Sequence, residues 1–309
     1  MGIKIGTFNA ENLFLRYKFL ASERGSMGKK KVDPNKFIKE GGHINMMGFE
    51  ILDEGQRKNT ARVILENNPD IICLQEVENI ETLKQFNSNY LNRKYPYAML
   101  IDANDPRQID VGILSKLEIG GVQTHQFDKD GKGAIFSRDC LEADILLDKK
   151  GNKSLTLFVN HLKSRLGGEA ETAEKRERQA TRIAEIIHER FGSNVKNANF
   201  AVLGDFNDTP DARCLKPILD GSMVENVVAR LPKNEQWTHY WEAKHEINQF
   251  DYILLSRALS KKNPKVLPKI ERRGLANYAK AYNGPRFPGV GQKGTEASDH
   301  CAVFIEINT

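Results

Sequence analysis

The sequence predicts a single α/β domain, α+β in detail, in which mixed β-sheets are covered by helices. Short apolar runs alternate with amphipathic stretches along the whole chain, and the turn signal Gly151-Asn152 joins two of those runs as an antiparallel pair. No change of composition, internal repeat or low-complexity tract divides residues 1–309, so one domain is expected.

The elements follow in order. Ile3 to Asn9 reads as a strand, and after it 16–49 is a loop-like insertion rich in Lys, Gly and Met. Gln56 to Asn67 carries Ala61, Ile64 and Leu65 on one helical face, and Pro69-Asp70 ends that segment. Ile71-Ile72-Cys73-Leu74 has the unbroken apolarity of a strand buried on both faces. Asn79 caps a helix running to Tyr90. Strands follow at Tyr97 to Ile101, Val111 to Ser115, Leu141 to Leu147 and Ser154 to Val159. Glu171 to Phe191 is the clearest helix, its stripe of Ala180, Ile183, Ala184 and Ile187 set among solvated Arg and Glu. Phe200 to Leu203, Phe250 to Leu255 and Ala302 to Ile307 complete the strands, the last preceded by an irregular, Pro-rich stretch over 264–295.

Composition bounds the function. With 39% hydrophobic and 28% charged residues, the chain is long enough to bury a sizeable core. A net charge of +5 suits an anionic partner, although Lys29, Lys30 and Lys31 fit a solvated loop equally well. Cys73, Cys140, Cys214 and Cys301 are too dispersed for a zinc cluster or a disulfide framework and read as reduced, buried thiols. No run is apolar enough to span a membrane, and Met1 leads directly into a strand pattern, so a cytoplasmic location is expected unless Met1-Gly2 replaces a removed leader; a monomer is expected.

The chemistry gathers where apolar strands meet polar loops. Asn9 and Glu11 close the first strand, two positions apart and hence on one side. Glu76 closes the second, and Glu11 and Glu76 with a nearby Asn offer the hard oxygen donors that suit Mg2+, with Mn2+ as a substitute. His161 follows its strand and precedes the cations Lys163 and Arg165, a setting for an acid beside a phosphate. Gly204-Asp205-Phe206-Asn207 supplies a base and an oxyanion donor. Asp299-His300 ends the set, and a buried Asp251 facing His300 would orient the ring and favour its cation. Each of these residues alone could merely cap a turn.

Taken in order, Thr7-Phe8-Asn9-Ala10-Glu11, Leu74-Gln75-Glu76, Asn160-His161-Leu162, Gly204-Asp205-Phe206-Asn207, Phe250-Asp251-Tyr252-Ile253-Leu254 and Ser298-Asp299-His300 span nearly the whole chain. In this the sequence resembles the endonuclease/exonuclease/phosphatase superfamily, the group of deoxyribonuclease I, exonuclease III, neutral sphingomyelinases and inositol-phosphate 5-phosphatases. The resemblance implies a four-layer α/β/β/α sandwich of two mixed sheets, as in deoxyribonuclease I. It implies metal-dependent phosphodiester hydrolysis, with Glu76 as main metal ligand and Asn9, Glu11 and Asp299 near the ion or its waters. Asp205 would activate water, Asn207 would donate to the phosphorane oxygens, His300 with Asp251 would bind or protonate a phosphate oxygen, and His161 would serve the leaving side.

Departures narrow the branch. Abasic-site endonucleases carry Tyr where His161 stands, and the 5-phosphatases carry Cys-Asp-Arg-Ile where this chain has Phe250-Asp251-Tyr252-Ile253, which disfavours both substrates. Asp110 is the candidate acidic partner of His161. Alternation places Trp237, His239 and Trp241 on one strand face, sharing one fate, either core or a stacking surface for unpaired bases worth roughly 1 to 3 kcal/mol each. The leading expectation is a Mg2+-dependent nuclease of low sequence preference. A sphingomyelinase-like or small-molecule phosphodiesterase is the alternative, and a binding module that has lost catalysis is the reading from another class.

Overall fold

A computed structural model describes residues 2–14, 17–21, 46–51, 54–151, 153–220 and 222–309. In chain order its strands are β1 Gly2–Leu13, β2 Tyr17–Ala21, β3 Met46–Ile51, β4 Ile71–Val77, β5 Tyr97–Leu100, β6 Asp110–Ser115, β7 Ile119–Gln123, β8 Lys129–Asp130 and β9 Gly133–Ala134. They continue as β10 Leu141–Leu146, β11 Ser154–His161, β12 Phe200–Asp205, β13 Val224–Asn226, β14 His239–Trp241, β15 Glu246–Asn248, β16 Asp251–Ser256, β17 Lys269–Glu271 and β18 Ala302–Asn308. The main helices are α1 Glu54–Asn67, α2 Ile80–Tyr90 and α3 Glu169–Phe191.

Two six-stranded sheets carry the fold, ordered β17-β18-β1-β4-β6-β5 and β13-β16-β12-β11-β10-β7. Read along these orders, both show one pairing pattern: two antiparallel neighbours, one parallel pair (β1 with β4, β12 with β11), then two more antiparallel neighbours. The strand β11 is antiparallel to β10 across the turn at Gly151, as the sequence predicts.

Alternation sorts each strand's side chains between two interiors. Ile71 and Cys73 of β4 meet Leu157, Leu203 and Ile253 of the other sheet in the central core, while Ile72 and Leu74 turn outward to Ala61, Ile64, Leu83 and Phe86 of α1 and α2. On the far side, Phe158, Val202 and Leu254 pack under Ala180, Ile183 and Ile187 of α3. The result is the expected α/β/β/α sandwich. Ile71 to Leu74 is unbroken in apolarity because both of its faces are buried. Asn79 caps α2 by accepting from the Thr82 amide. All four cysteines are free and buried.

Three details depart from the sequence reading. Within the expected insertion over 16–49, β2 and β3 form an antiparallel pair rather than loop, and the remainder, including Lys29, Lys30 and Lys31, lies outside the described residues. Edge strands β7, β13 and β17 have too little apolar periodicity to be read, being short and half-exposed. The strands β11 and β12 run on through His161 and Asp205, where their ladder continues, and β4 runs on to Val77 with Glu76 at a break in its pairing.

Candidate active site

The same ends of the two sheets frame a cleft of about 640 Å³, lined by Asn9, Glu11, Glu76, His161, Arg165, Asp205, Asn207, His239, Asp299 and His300 among others. Register builds one wall. His161 pairs with Asp205 between parallel β11 and β12, and Asp205 pairs with Asp251 between antiparallel β12 and β16, so three adjacent strands present three functional groups in a row. Gly204 makes this possible. Its φ is +138°, and a Cβ there would stand 1.9 Å from the backbone oxygen of Asn160.

The opposite wall is built by interruption. Between Asn9 and Leu13 the pairing of β1 with β4 skips, and between Leu74 and Val77 the pairing of β4 with β6 skips. Glu11, Asn12 and Glu76 sit in these bulges with φ of 47°, 63° and 63°. Glu11 therefore reaches the cleft through a bulge and not through the simple alternation that its spacing from Asn9 suggests. Glu76 Oε2 accepts from the Asn12 amide at 3.0 Å, and Glu11 Oε2 accepts from the Asp299 amide at 3.0 Å.

Asp205 is the best-held group. It accepts from Asn9 Nδ2 at 3.0 Å, from the Asn207 amide at 2.8 Å and from Asn207 Nδ2 at 3.1 Å. Burial pushes its carboxyl up to about 7, with Asp251 adding to the rise and His300 opposing it. His300 behaves in the opposite sense. Burial alone would lower it, but Asp251, whose carboxylate lies 2.9 Å from Nδ1, and Asp205 hold it well above the usual histidine range. Asp251 itself is fully buried behind the ring, so it positions His300 and does not line the cleft.

His161 differs. Its Nε2 lies 3.5 Å from Asp205 Oδ2 and 4.0 Å from Glu76 Oε1, while burial and the charge of Arg138 hold it well below the usual range. A neutral His161 can donate an N–H but carries no spare proton. Its Nδ1 is buried without a hydrogen-bond partner among the described residues, and Asp110 instead accepts from the Ala103 amide at 3.2 Å. The pairing of Asp110 with His161 read from the sequence is therefore corrected.

Two substrate-binding expectations are corrected as well. Trp237 packs with Tyr240, Leu275, Ala279 and Cys301 beneath the Arg272 guanidinium, whereas His239 and Trp241 line the cleft. The shared fate fails because β14 begins only at His239, so Trp237 lies outside the alternating segment. Lys163 bends its ammonium to the Leu166 carbonyl at 3.3 Å and is not part of the cleft lining. Arg165 does line it, paired with Asp208 and 5.1 Å from the Phe250 ring centroid.

The cations the sequence did not single out are Arg107, Arg138 and Lys244. Arg138 is 1% exposed, held 2.9 Å from Asp105 and donating to the Leu162 carbonyl at 3.1 Å. An Arg placed just before a strand in Ser137-Arg138-Asp139 was the available signal, indistinguishable in sequence from a surface charge. Lys244 stands 4.2 Å over the Trp241 ring at the mouth.

The carboxylates fit a divalent ion. Burial raises Glu11, helped by the charges of Asp299 and Glu296, and burial with Asp299 raises Glu76. A cluster of hard oxygen donors that repel one another is what Mg2+ compensates. Asn9 turns its oxygen to the Glu11 amide at 3.1 Å and its nitrogen to Asp205, linking the two walls of the cleft.

Residues 54–309 match the model of the endonuclease/exonuclease/phosphatase family. The chain belongs to that family. The fold is also that of truncated TDP2 from Caenorhabditis elegans, at TM-score 0.62 and 17% identity over 100% of this chain and 98% of that one. TDP2 of D. rerio complexed with single strand DNA product gives 0.62 and 17% over 100% and 99%, and the human Nocturnin catalytic domain with bound sulfate gives 0.59 and 14% over 99% and 94%. No curated protein matches by sequence. Members of the family hydrolyse phosphodiester bonds, generally with a divalent metal, and this chain has the fold and the family match of such a hydrolase. No helix among the described residues is long and apolar enough to cross a membrane.

Proposed function

We propose that the protein is a Mg2+-dependent nuclease that hydrolyses DNA or RNA with low sequence specificity. The observation that carries this reading is the convergence of Asp205, Asn207, His161 and His300 on one open cleft that also has Arg107, Arg165 and Lys244 in its lining. Cations without a defined pocket for a base suit a polyanionic backbone rather than a particular sequence.

Asp205, raised toward neutrality, orients and deprotonates the attacking water. Cationic His300, fixed by Asp251, binds or protonates a phosphate oxygen, and Asn207 turns its amide from the Leu162 carbonyl, 3.1 Å away, to the developing oxyanion. Neutral His161 donates to the leaving side. Glu76, with Glu11, Asn9 and Asp299 nearby, would hold the metal, which supplies neutralisation of charge on the phosphate. Trp241 under Lys244 offers a stacking face at the mouth.

A membrane phosphodiester, the alternative substrate, calls for an apolar rim, yet among the described residues Leu166 is the only exposed large hydrophobic that lines the cleft. The test is a substrate panel with purified protein and Mg2+, Mn2+ or Ca2+. Cleavage of single-stranded DNA, plasmid or RNA is the expected result; all three intact, or turnover confined to sphingomyelin micelles, overturns the nuclease reading. Intact substrates that are nonetheless bound would identify a non-catalytic binding module.

A further inference from the structure

Beside the oxygen-rich wall, and sharing Asp299 with it, lies a group of different chemistry. His239, Asp299 and His300 each offer one ligand atom, and these atoms lie within 4.8 Å of one another. Two ligands on a tetrahedral ion with bonds near 2.0–2.1 Å stand about 3.4 Å apart, so small side-chain rotations close the set. The backbone already holds the three together: His239 and His300 form an antiparallel bridge, the Tyr240 amide donates to the Asp299 carbonyl at 3.3 Å, and the Cys301 amide donates to the Thr238 carbonyl at 2.6 Å. His239 Nε2 is 3.6 Å from Asp299 Oδ2, and its ring stacks on Phe250 at 4.9 Å and leans on His300 at 4.6 Å. All three residues line the open cleft, so an ion can reach them.

We propose that His239, Asp299 and His300 form a nitrogen-rich cation site that takes a borderline ion such as Zn2+, and that filling it switches off hydrolysis. Two imidazoles and one carboxylate select Zn2+, Co2+ or Ni2+, whereas the Glu11 and Glu76 oxygens select Mg2+. Asp251 on Nδ1 of His300 is the carboxylate that orients a metal-binding imidazole. An ion on Nε2 of His300 occupies the nitrogen that lies 3.7 Å from Asp205 in the cleft, so the ring can no longer contact a phosphate oxygen there. The inhibitory half rests on the hydrolase reading above; the binding half does not.

The test uses the chelator-treated full chain titrated with Co2+ and followed by the visible absorption of a four-coordinate ion, with Zn2+ as competitor. One tight equivalent displaced by Zn2+ is expected. His239→Phe, which keeps the ring stacked on Phe250, should weaken it at least about tenfold, and Glu76→Gln should leave it within about twofold. Equal affinity in His239→Phe, or loss of the site in Glu76→Gln, overturns the proposal. Should His239→Phe fold poorly, histidine-ring NMR of the wild type decides: Zn2+ must shift the His239 and His300 signals, and shifts confined to other histidines overturn it. With Mg2+ present, Zn2+ should lower wild-type turnover at least tenfold, and each variant is scored against its own Zn2+-free rate. Failure of the nuclease reading shows itself separately, as absence of Mg2+-dependent cleavage while the cobalt spectrum remains.

Discussion

The two sheets share a pairing pattern but end differently at the cleft. The ladder of β11, β12 and β16 runs unbroken to His161, Asp205 and Asp251, whereas β1 and β4 reach Glu11 and Glu76 only through bulges with left-handed backbone. On the proposed function, the difference separates two tasks. A base and an orienting acid gain from a rigid ladder, since a proton transfer tolerates little misplacement. Carboxylates that gather round an ion gain from kinked strand ends, which aim oxygens from different strands at one point.

The sharpest way to break this comparison is Asp205→Asn, which should cut turnover by about 10²–10⁴-fold while leaving substrate binding and folding intact, read by steady-state kinetics and a binding titration. Undiminished turnover would remove Asp205 from its role. The two walls should then separate under Glu76→Gln. We expect about a hundredfold loss that raised Mg2+ partly restores, since affinity for the ion is what falls, and no Mg2+ concentration should restore Asp205→Asn. Gly204→Ala tests the ladder itself: the clash with Asn160 and the positive φ should cost about 3 kcal/mol or more in denaturant unfolding.

Asp251→Asn probes the orientation of His300. Removing that carboxylate removes the main cause of the raised histidine pKa, so the alkaline limb of the kcat profile should move to lower pH, with a loss in kcat larger than any change in KM. An unmoved alkaline limb would show that another group titrates there.

The smallest expected effect is that of Asp110→Asn. Burial raises Asp110 in the folded chain to about 7 from an ordinary value of 3.8. Its favourable contribution is therefore complete below the ordinary value and lost as pH rises through about 7. The variant should raise the melting temperature at pH 8 relative to wild type, change it little at pH 4, and leave turnover unaltered. A large loss of turnover would restore the pairing with His161.

Much of this was legible beforehand because the signals are local. Apolar runs and a helical stripe at Ala180, Ile183 and Ile187 report burial that any packing must satisfy, and Asn79 caps its own helix. Asp205, Asp251 and His300 could be read as a set because each ends or adjoins a strand whose core residues fix its depth. Edge strands β7, β13 and β17 escaped because half-exposed residues carry little pattern. Trp237 misled because an aromatic looks the same in sequence whether it stacks on a ligand or beneath Arg272.

The sequence by itself determined mixed sheets covered by helices and the strand ends that carry the chemistry, since these follow from periodicity and residue types at fixed places along one chain, and the order of its motifs gave the family resemblance that implied the sandwich. Only the tertiary structure decided which groups face one another. It left Nδ1 of His161 without a hydrogen-bond partner among the described residues, buried Arg138 in the cleft wall and brought His239 beside Asp299. Those relations depend on strand register and on the bulges at Glu11 and Glu76, which are settled by contacts between segments far apart in the chain, as in the bond from Ser298 Oγ to the Asn9 carbonyl, 289 positions away.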